Sequence, residues 1–244
     1  MQVESFLELS ARGLPDKIAL ICGARRLTYR ELDESANRLA HSLLAGGVER
    51  GDRVAIYLEN SVEAVVSIFA ILKAGAVFLM VNPTTKADKL CYILKNCRAK
   101  GLITDARRLA GSRDALAETG CLSTIWLAGG IGKDDPVTAK RLVDLDAVSR
   151  DNGVPVAAPP KKCIDIDLAA LVYTSGSTGR PKGVMLTHLN MVSAATSITT
   201  YLENRTEDII LSVLPLSFDY GLYQALMAFK FSGTLVLERS FTYP

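Results

Sequence analysis

Residues 53–104 alternate between short, nearly continuous apolar runs and longer stretches with helical spacing, and few architectures accommodate that alternation. Residues 53–58 read as a strand, 61–74 as a helix stopped at Gly75, 77–81 as a strand, 86–96 as a helix and 101–104 as a strand. A strand that is apolar at successive positions has to be covered on both faces, and helices between parallel strands supply the cover. The pattern therefore predicts an α/β fold of layered, mostly parallel sheets flanked by helices.

The flanking segments extend the pattern. Residues 3–12 have helical spacing, and 18–21 with 27–29 read as a hairpin around Gly23-Ala24. Thr28 followed by Glu31 forms a capping box for a helix whose stripe is Leu32, Ala36, Leu39, Ala40, Leu43 and Leu44, ended by Gly46-Gly47. A polar helix over 107–118 and a strand over 124–127 follow. Residues 129–160, rich in Gly and Pro at both ends, read as a surface connection carrying a weak helix over 139–150. Alternation then resumes: strands at 167–173 and 184–186, a helix at 190–202, a strand at 209–214, a helix at 221–231 and a strand at 234–237. These elements divide the chain into a first α/β lobe (1–128), a connection (129–160) and a second lobe (161–244). The stop at Pro244, directly after a strand, is expected to be a truncation that leaves this second lobe incomplete.

Charge narrows the partners. Lys and Arg total 28 against 26 Asp and Glu, so a net charge of +2 offers no electrostatic case for nucleic acid or an anionic membrane. The apolar run at 64–72 falls well short of the ~20 residues that span a bilayer. Residues 1–13 lack the basic start and apolar run of a signal peptide. The five cysteines include no C-x-x-C pair and only two histidines accompany them, which predicts reduced thiols in a cytoplasmic protein.

The most informative segment is 171–185. An apolar strand delivers the chain into Thr174, Ser175, Gly176, Ser177, Thr178 and Gly179, followed by Arg180-Pro181-Lys182-Gly183. The glycines let the backbone turn sharply and approach a bulky anion, and successive N–H groups can cradle it. The hydroxyls add neutral donors and Lys182 a point charge suited to phosphate. A Walker A loop does not fit: Pro181 precedes the lysine, Gly183 follows it, and a strand rather than a helix comes next. The small-residue stretch 174–179 is expected to lie between strands at the surface without regular structure.

Residues 173–183 resemble the phosphate loop of the adenylate-forming superfamily, which includes acyl-CoA synthetases, luciferase-like enzymes and peptide-synthetase adenylation domains. Similar elements follow one another along nearly the whole chain: Leu27-Thr28-Tyr29-Arg30-Glu31-Leu32, Gly51-Asp52-Arg53-Val54-Ala55, Leu72-Lys73-Ala74-Gly75-Ala76, Val81-Asn82-Pro83 and Leu186-Thr187-His188-Leu189-Asn190. The resemblance implies that Thr174, Ser175, Gly176, Ser177, Thr178, Gly179 and Lys182 contact the triphosphate of ATP, with Lys182 assisting the chemistry and Thr174 helping to place Mg²⁺. It also implies that the downstream magnesium-binding Glu, the ribose-binding Asp and the mobile C-terminal domain lie outside this chain, so the chain alone is expected to turn over negligibly.

Phe218-Asp219 ends a strand and opens a helix, a common place for a ligand in α/β sheets. In amino-acid adenylation domains a Phe-Asp pair here meets the substrate ammonium; Tyr220-Gly221 departs from their usual continuation. Capping of the following helix and pocket lining of another kind remain open for Asp219. His188 reads as structural, and Tyr201, Phe229 and Phe231 as core. The resemblance implies, first, an AMP-forming acid–thiol ligase that activates a small carboxylic acid and transfers it to a thiol such as coenzyme A. The alternatives are an amino-acid adenylating enzyme that loads the phosphopantetheine of a carrier protein, and a non-catalytic nucleotide-binding short form.

Overall fold

The structure, a computed structural model, describes residues 1–132, 140–151, 153–174 and 181–239. The chain opens with α1 (Ser5–Gly13) and a hairpin of β1 (Ile18–Cys22) and β2 (Arg25–Thr28). α2 (Tyr29–Ala45) follows, with the predicted capping box in place: the Thr28 hydroxyl accepts from the Glu31 N–H, and the Glu31 carboxylate accepts from the Thr28 N–H. Tyr29, read as strand, is the first residue of this helix and is fully buried, its hydroxyl donating to Gly233 O at 2.6 Å.

The alternating region forms β3 (Arg53–Tyr57), α3 (Val62–Lys73), β4 (Val77–Met80), α4 (Ala87–Asn96), β5 (Gly101–Asp105) and β6 (Thr124–Ala128). Two short helices, α5 (Ala106–Gly111) and α6 (Arg113–Ala117), replace the single polar helix expected before β6. Residues 129–160 differ from expectation more substantially. Arg141–Asp144 forms a strand, β7, that pairs with β6 in parallel, and the helix is confined to α7 (Leu145–Arg150), capped by Asp144. The stretch read as a surface connection thus adds a strand to the sheet edge, because backbone pairing with β6 outweighs the weak helical spacing around Leu142 and Val143. The remaining elements are β8 (Leu168–Thr174), β9 (Lys182–Thr187), α8 (His188–Tyr201), β10 (Ile209–Ser212), α9 (Asp219–Lys230) and β11 (Thr234–Leu237).

Two sheets result. The larger has the order β7-β6-β5-β3-β4-β8-β9 and is parallel except for the β8–β9 hairpin; the smaller has the order β10-β11-β1-β2 and is parallel except for the β1–β2 hairpin. This is the expected layered α/β fold of two mostly parallel sheets flanked by helices. The sheets do not follow chain order: β8 and β9 join the strands of the first half, and β1 pairs with β11 from the end of the chain.

The core follows the same logic. α3 is buried on nearly every side because it lies between layers, and Trp126 and Phe78 are fully buried. Phe69, Phe229 and Tyr29 meet edge to face. Tyr201, expected in the core, is 85% exposed near the end of α8. α1 is tied down by buried charges: Lys73 pairs with Asp33 at 2.8 Å and with Glu8 at 3.4 Å, and Lys161 reaches Glu8 at 2.9 Å. All five cysteines are free; Cys22, Cys91 and Cys97 are buried, and Cys121 and Cys163 half-buried.

Candidate functional site

The β8–β9 hairpin fixes the ends of the phosphate-loop candidate. Leu171 pairs with Met185, Val172 with Val184, Tyr173 with Gly183 and Thr174 with Lys182. Thr174, expected to be irregular, is the last residue of β8, because its pairing with Lys182 carries the ladder one step further. Lys182 opens β9 and is exposed. Ser175, Gly176, Ser177, Thr178 and Gly179 lie outside the described residues.

The Tyr173 ring lies across the hairpin over Gly183. A Cβ at Gly183 would stand 3.1 Å from the ring, tighter than ordinary contact, so the glycine leaves room for the aromatic. The Tyr173 hydroxyl donates to Asn96 Oδ1 at 2.6 Å, and burial pushes its pKa up. From the same helix, Tyr92 donates to the carbonyl of Pro181 at 3.3 Å. One helix thus holds both ends of the loop.

Beside the hairpin is a cavity of about 360 Å³. Its described walls come from three stretches: Met80 to Asn82 with Thr85, Lys89 and Ile93, then Val172 to Thr174 with Pro181, then Ser217 to Asp219. The structure therefore brings Thr174, Phe218 and Asp219 to one cavity, and Lys182 is not on its wall. Asp219 is the first residue of α9, not its N-cap, and its Oδ1 accepts from the Tyr220 N–H at 2.8 Å.

The Ser217–Asp219 wall is positioned by groups the sequence reading passed over. Asn60, 5% exposed, donates to Leu214 O and Glu238 O, each at 2.9 Å, and accepts from the Leu216 N–H at 2.9 Å. It pins the turn before α9 to the ends of β3 and β11. Gly221 lets α9 start directly beneath that turn; a Cβ there would stand 2.5 Å from Pro215 O. No local signal marks Asn60, since an Asn before the helix cap Ser61 reads as an ordinary turn residue.

His188 opens α8 and is 1% exposed. Its Nδ1 accepts from the Val3 N–H at 3.2 Å and lies 3.6 Å from Glu4 Oε2. Burial first, then the positive charges of Lys161 and the N-terminus, lowers its pKa to about 4, against the pull of Asp167 and Asp165. The folded state therefore holds neutral imidazole. The unfolded state binds the extra proton between pH 6.5 and about 4. The stability contribution is present above pH 6.5 and is lost as pH falls toward 4, at up to about 1.4 kcal/mol per unit. Glu4, whose pKa burial raises, works in the opposite sense. Urea titrations from pH 7 to 4 are expected to show a shallower loss for His188→Gln than for the parent. Parallel pH profiles would remove this role.

Comparison with known proteins gives a consistent picture. Residues 7–244 match the AMP-binding enzyme family. The chain is 40% identical over 235 residues to phosphinothricin tripeptide synthetase PhsC of Streptomyces viridochromogenes, covering 95% of this chain and 19% of that protein. Among solved structures, the anthranilate CoA ligase AuaEII in complex with anthranoyl-AMP superposes with a TM-score of 0.90 at 26% identity, over 99% of this chain and 45% of that one. VinN in complex with 3-methylaspartate superposes with a TM-score of 0.80 at 27% identity, over 98% of this chain and 62% of that one. The chain thus spans about a fifth of the length of the synthetase and about half that of the ligase.

Proposed function

The chain belongs to the AMP-binding enzyme family, and we propose that it is the nucleotide-gripping part of an enzyme that activates an amino acid as its aminoacyl-adenylate. The family relation carries adenylate formation. The amino-acid reading rests on one observation, the carboxylate of Asp219 on the wall of the cavity that also holds Thr174, the last described residue before the loop. Identity to a peptide synthetase supports it over the acid–coenzyme A ligase that the sequence resemblance put first, although ligases of that kind share the fold.

In this reading a carboxylate oxygen of the substrate attacks the α-phosphorus of ATP. A new O–P bond forms, the bond from the α-phosphorus to the bridging oxygen breaks, and pyrophosphate leaves. Charge grows on the pyrophosphate, so the chain's task is to hold and neutralise it. Thr174 to Gly179 would supply N–H and hydroxyl donors, and Lys182 a positive charge. The Thr174 hydroxyl on the cavity wall is a hard oxygen donor of the kind Mg²⁺ accepts beside phosphate oxygens and water, so Thr174 would hold that ion. Mg²⁺ would supply further charge neutralisation. Asp219 would meet the substrate ammonium, with the exposed Phe218 ring beside it. The thiol that takes the acyl group would be the phosphopantetheine of a carrier protein.

Asp219→Ala in the full-length protein is expected to raise KM for the amino acid about tenfold, the low end of a charge-assisted contact, because Asp219 is exposed. The analogue that lacks the amino group should be unaffected. Equal losses for both substrates would remove the ammonium role.

A further inference from the structure

Two of the five cysteines meet where the chain enters β5 and β6, and nothing above gives them a role. Cys97 caps the C-terminus of α4 and leads into β5, and Cys121 stands in the turn that leads into β6. These are neighbouring parallel strands: Gly101 pairs with Thr124, and the Ser123 N–H donates to Lys100 O at 3.0 Å. The two thiols therefore lie side by side. Both donate to one acceptor, Leu94 O, Cys97 at 3.7 Å and Cys121 at 3.6 Å. That carbonyl also accepts from the Ala99 N–H at 2.9 Å, so it stays satisfied without either thiol. Cys91, on the same helix, meets the Thr119 hydroxyl instead, at 3.8 Å. Cys97 has a second neighbour. Burial, and after it the adjoining Cys97 thiol, pushes the Tyr173 hydroxyl up. Asn96, next in the chain to Cys97, accepts from that hydroxyl at 2.6 Å.

From this we propose that Cys121 and Cys97 close into a reversible disulfide, a redox-sensitive clasp that acts on the end of β8 through Tyr173. Cys121 is half-buried and Cys97 is 8% exposed, so Cys121 is the point of entry. Its thiolate attacks one sulfur of a low-molecular-weight disulfide; that S–S bond breaks, one thiolate leaves, and a mixed disulfide stands on Cys121. The Cys97 thiolate then attacks the Cys121 sulfur, the mixed bond breaks, and the second small thiolate leaves. Two protein thiols give up two electrons and two protons, and the oxidant becomes two thiols. Burial pushes the Cys97 thiol up to about 11, so closure is slow at neutral pH and quickens as pH rises. Closure draws the Cys97 sulfur toward Cys121 and shifts the chain next to Asn96. The hold on Tyr173 loosens, one residue before the β8–β9 ladder reaches Thr174 and Lys182. The link to catalysis rests on the adenylate-forming reading; the disulfide itself does not.

The test uses the full-length protein, incubated with oxidised glutathione at about pH 8, where thiolates are available. After an acid quench and digestion with pepsin, mass spectrometry maps the products for the parent, Cys91→Ser, Cys97→Ser and Cys121→Ser. The parent and Cys91→Ser should give a Cys97–Cys121 cross-link that a dithiol removes, whereas Cys97→Ser should stop at glutathione on Cys121. Cross-linking should quicken hydrogen exchange over residues 172–174. It should also slow ATP–pyrophosphate exchange about two- to tenfold, the size of one neutral hydrogen bond, with recovery on reduction. Neither change should occur in Cys97→Ser. Absence of the Cys97–Cys121 cross-link, or a link from Cys121 to Cys91 in its place, would overturn the proposal. So would a cross-linked protein whose hydrogen exchange over 172–174 and pyrophosphate exchange are both unchanged. If the protein exchanges pyrophosphate with no acid while the cross-link still quickens hydrogen exchange, the adenylate reading fails and the redox clasp stands.

Discussion

Lys182→Ala in the full-length protein is expected to slow adenylate formation about ten- to a hundredfold while nearly sparing thioester formation from pre-made adenylate. Lys182 opens β9 opposite Thr174, so its stem leaves the hairpin where the loop closes, and it is exposed. A charge-assisted contact to a phosphate oxygen is worth roughly 1.5–3 kcal/mol, which gives that range of rate. Pyrophosphate has left before the thiol reacts, so the second half-reaction has nothing for Lys182 to hold. Single-turnover measurements of the two half-reactions separate the cases. Equal damage to both would make Lys182 a residue of the hairpin's fold and withdraw its phosphate role.

Asn60→Ala is expected to cost about 2–4 kcal/mol of stability and to weaken acid binding together with it. Three hydrogen bonds to backbone groups are lost at once, and each is worth about 0.5–1.5 kcal/mol net, more where a buried partner is left unpaired. Leu216, whose N–H donates to Asn60, is 1% exposed, so that donor has no water to turn to. The released turn immediately precedes Ser217, Phe218 and Asp219, so the cavity wall loosens with it. Asn60→Asp keeps the acceptor for Leu216 but sets a carboxylate against two carbonyls, and should be no better than Ala. Urea unfolding gives the stability, and KM for the acid in pyrophosphate exchange gives the wall. A loss below about 1 kcal/mol would mean that the turn is held by packing alone.

What could be read from the chain was local. The alternation over 53–104 gave β3, α3, β4, α4 and β5 with ends within a residue or two, and the Thr28–Glu31 box marked the start of α2. Pairing between distant strands leaves no such mark. Nothing near Leu20 announces Leu235 as its neighbour, and nothing near Phe78 announces Ala170. β7 was misread for the same reason: Leu142 and Val143 suit either a short helix or an edge strand, and only β6 decides between them. Tyr201 shows the converse error, an aromatic assigned to the core by residue type alone on a helix whose end faces outward.

The site divides similarly. The two strands that flank the small-residue stretch were legible from the apolar runs on either side of it, and Thr174 and Lys182 end the one and open the other. That Phe218 and Asp219 share a cavity with Thr174 could be suspected only from their position at a strand end. Asn60, Tyr92 and Asn96 could not be found in this way, since each sits in an ordinary turn or amphipathic helix and gains its contact from a strand or turn far along the chain.

ATP–pyrophosphate exchange by the full-length protein, run against a panel of amino acids and the same acids without the amino group, tests the central claim most directly. Exchange that depends on one amino acid or a small set of them, and that the amino-lacking analogues do not support, is the expected result. Exchange driven equally well or better by acids without an amino group would contradict the amino-acid reading, and no exchange with any acid would contradict adenylate formation itself.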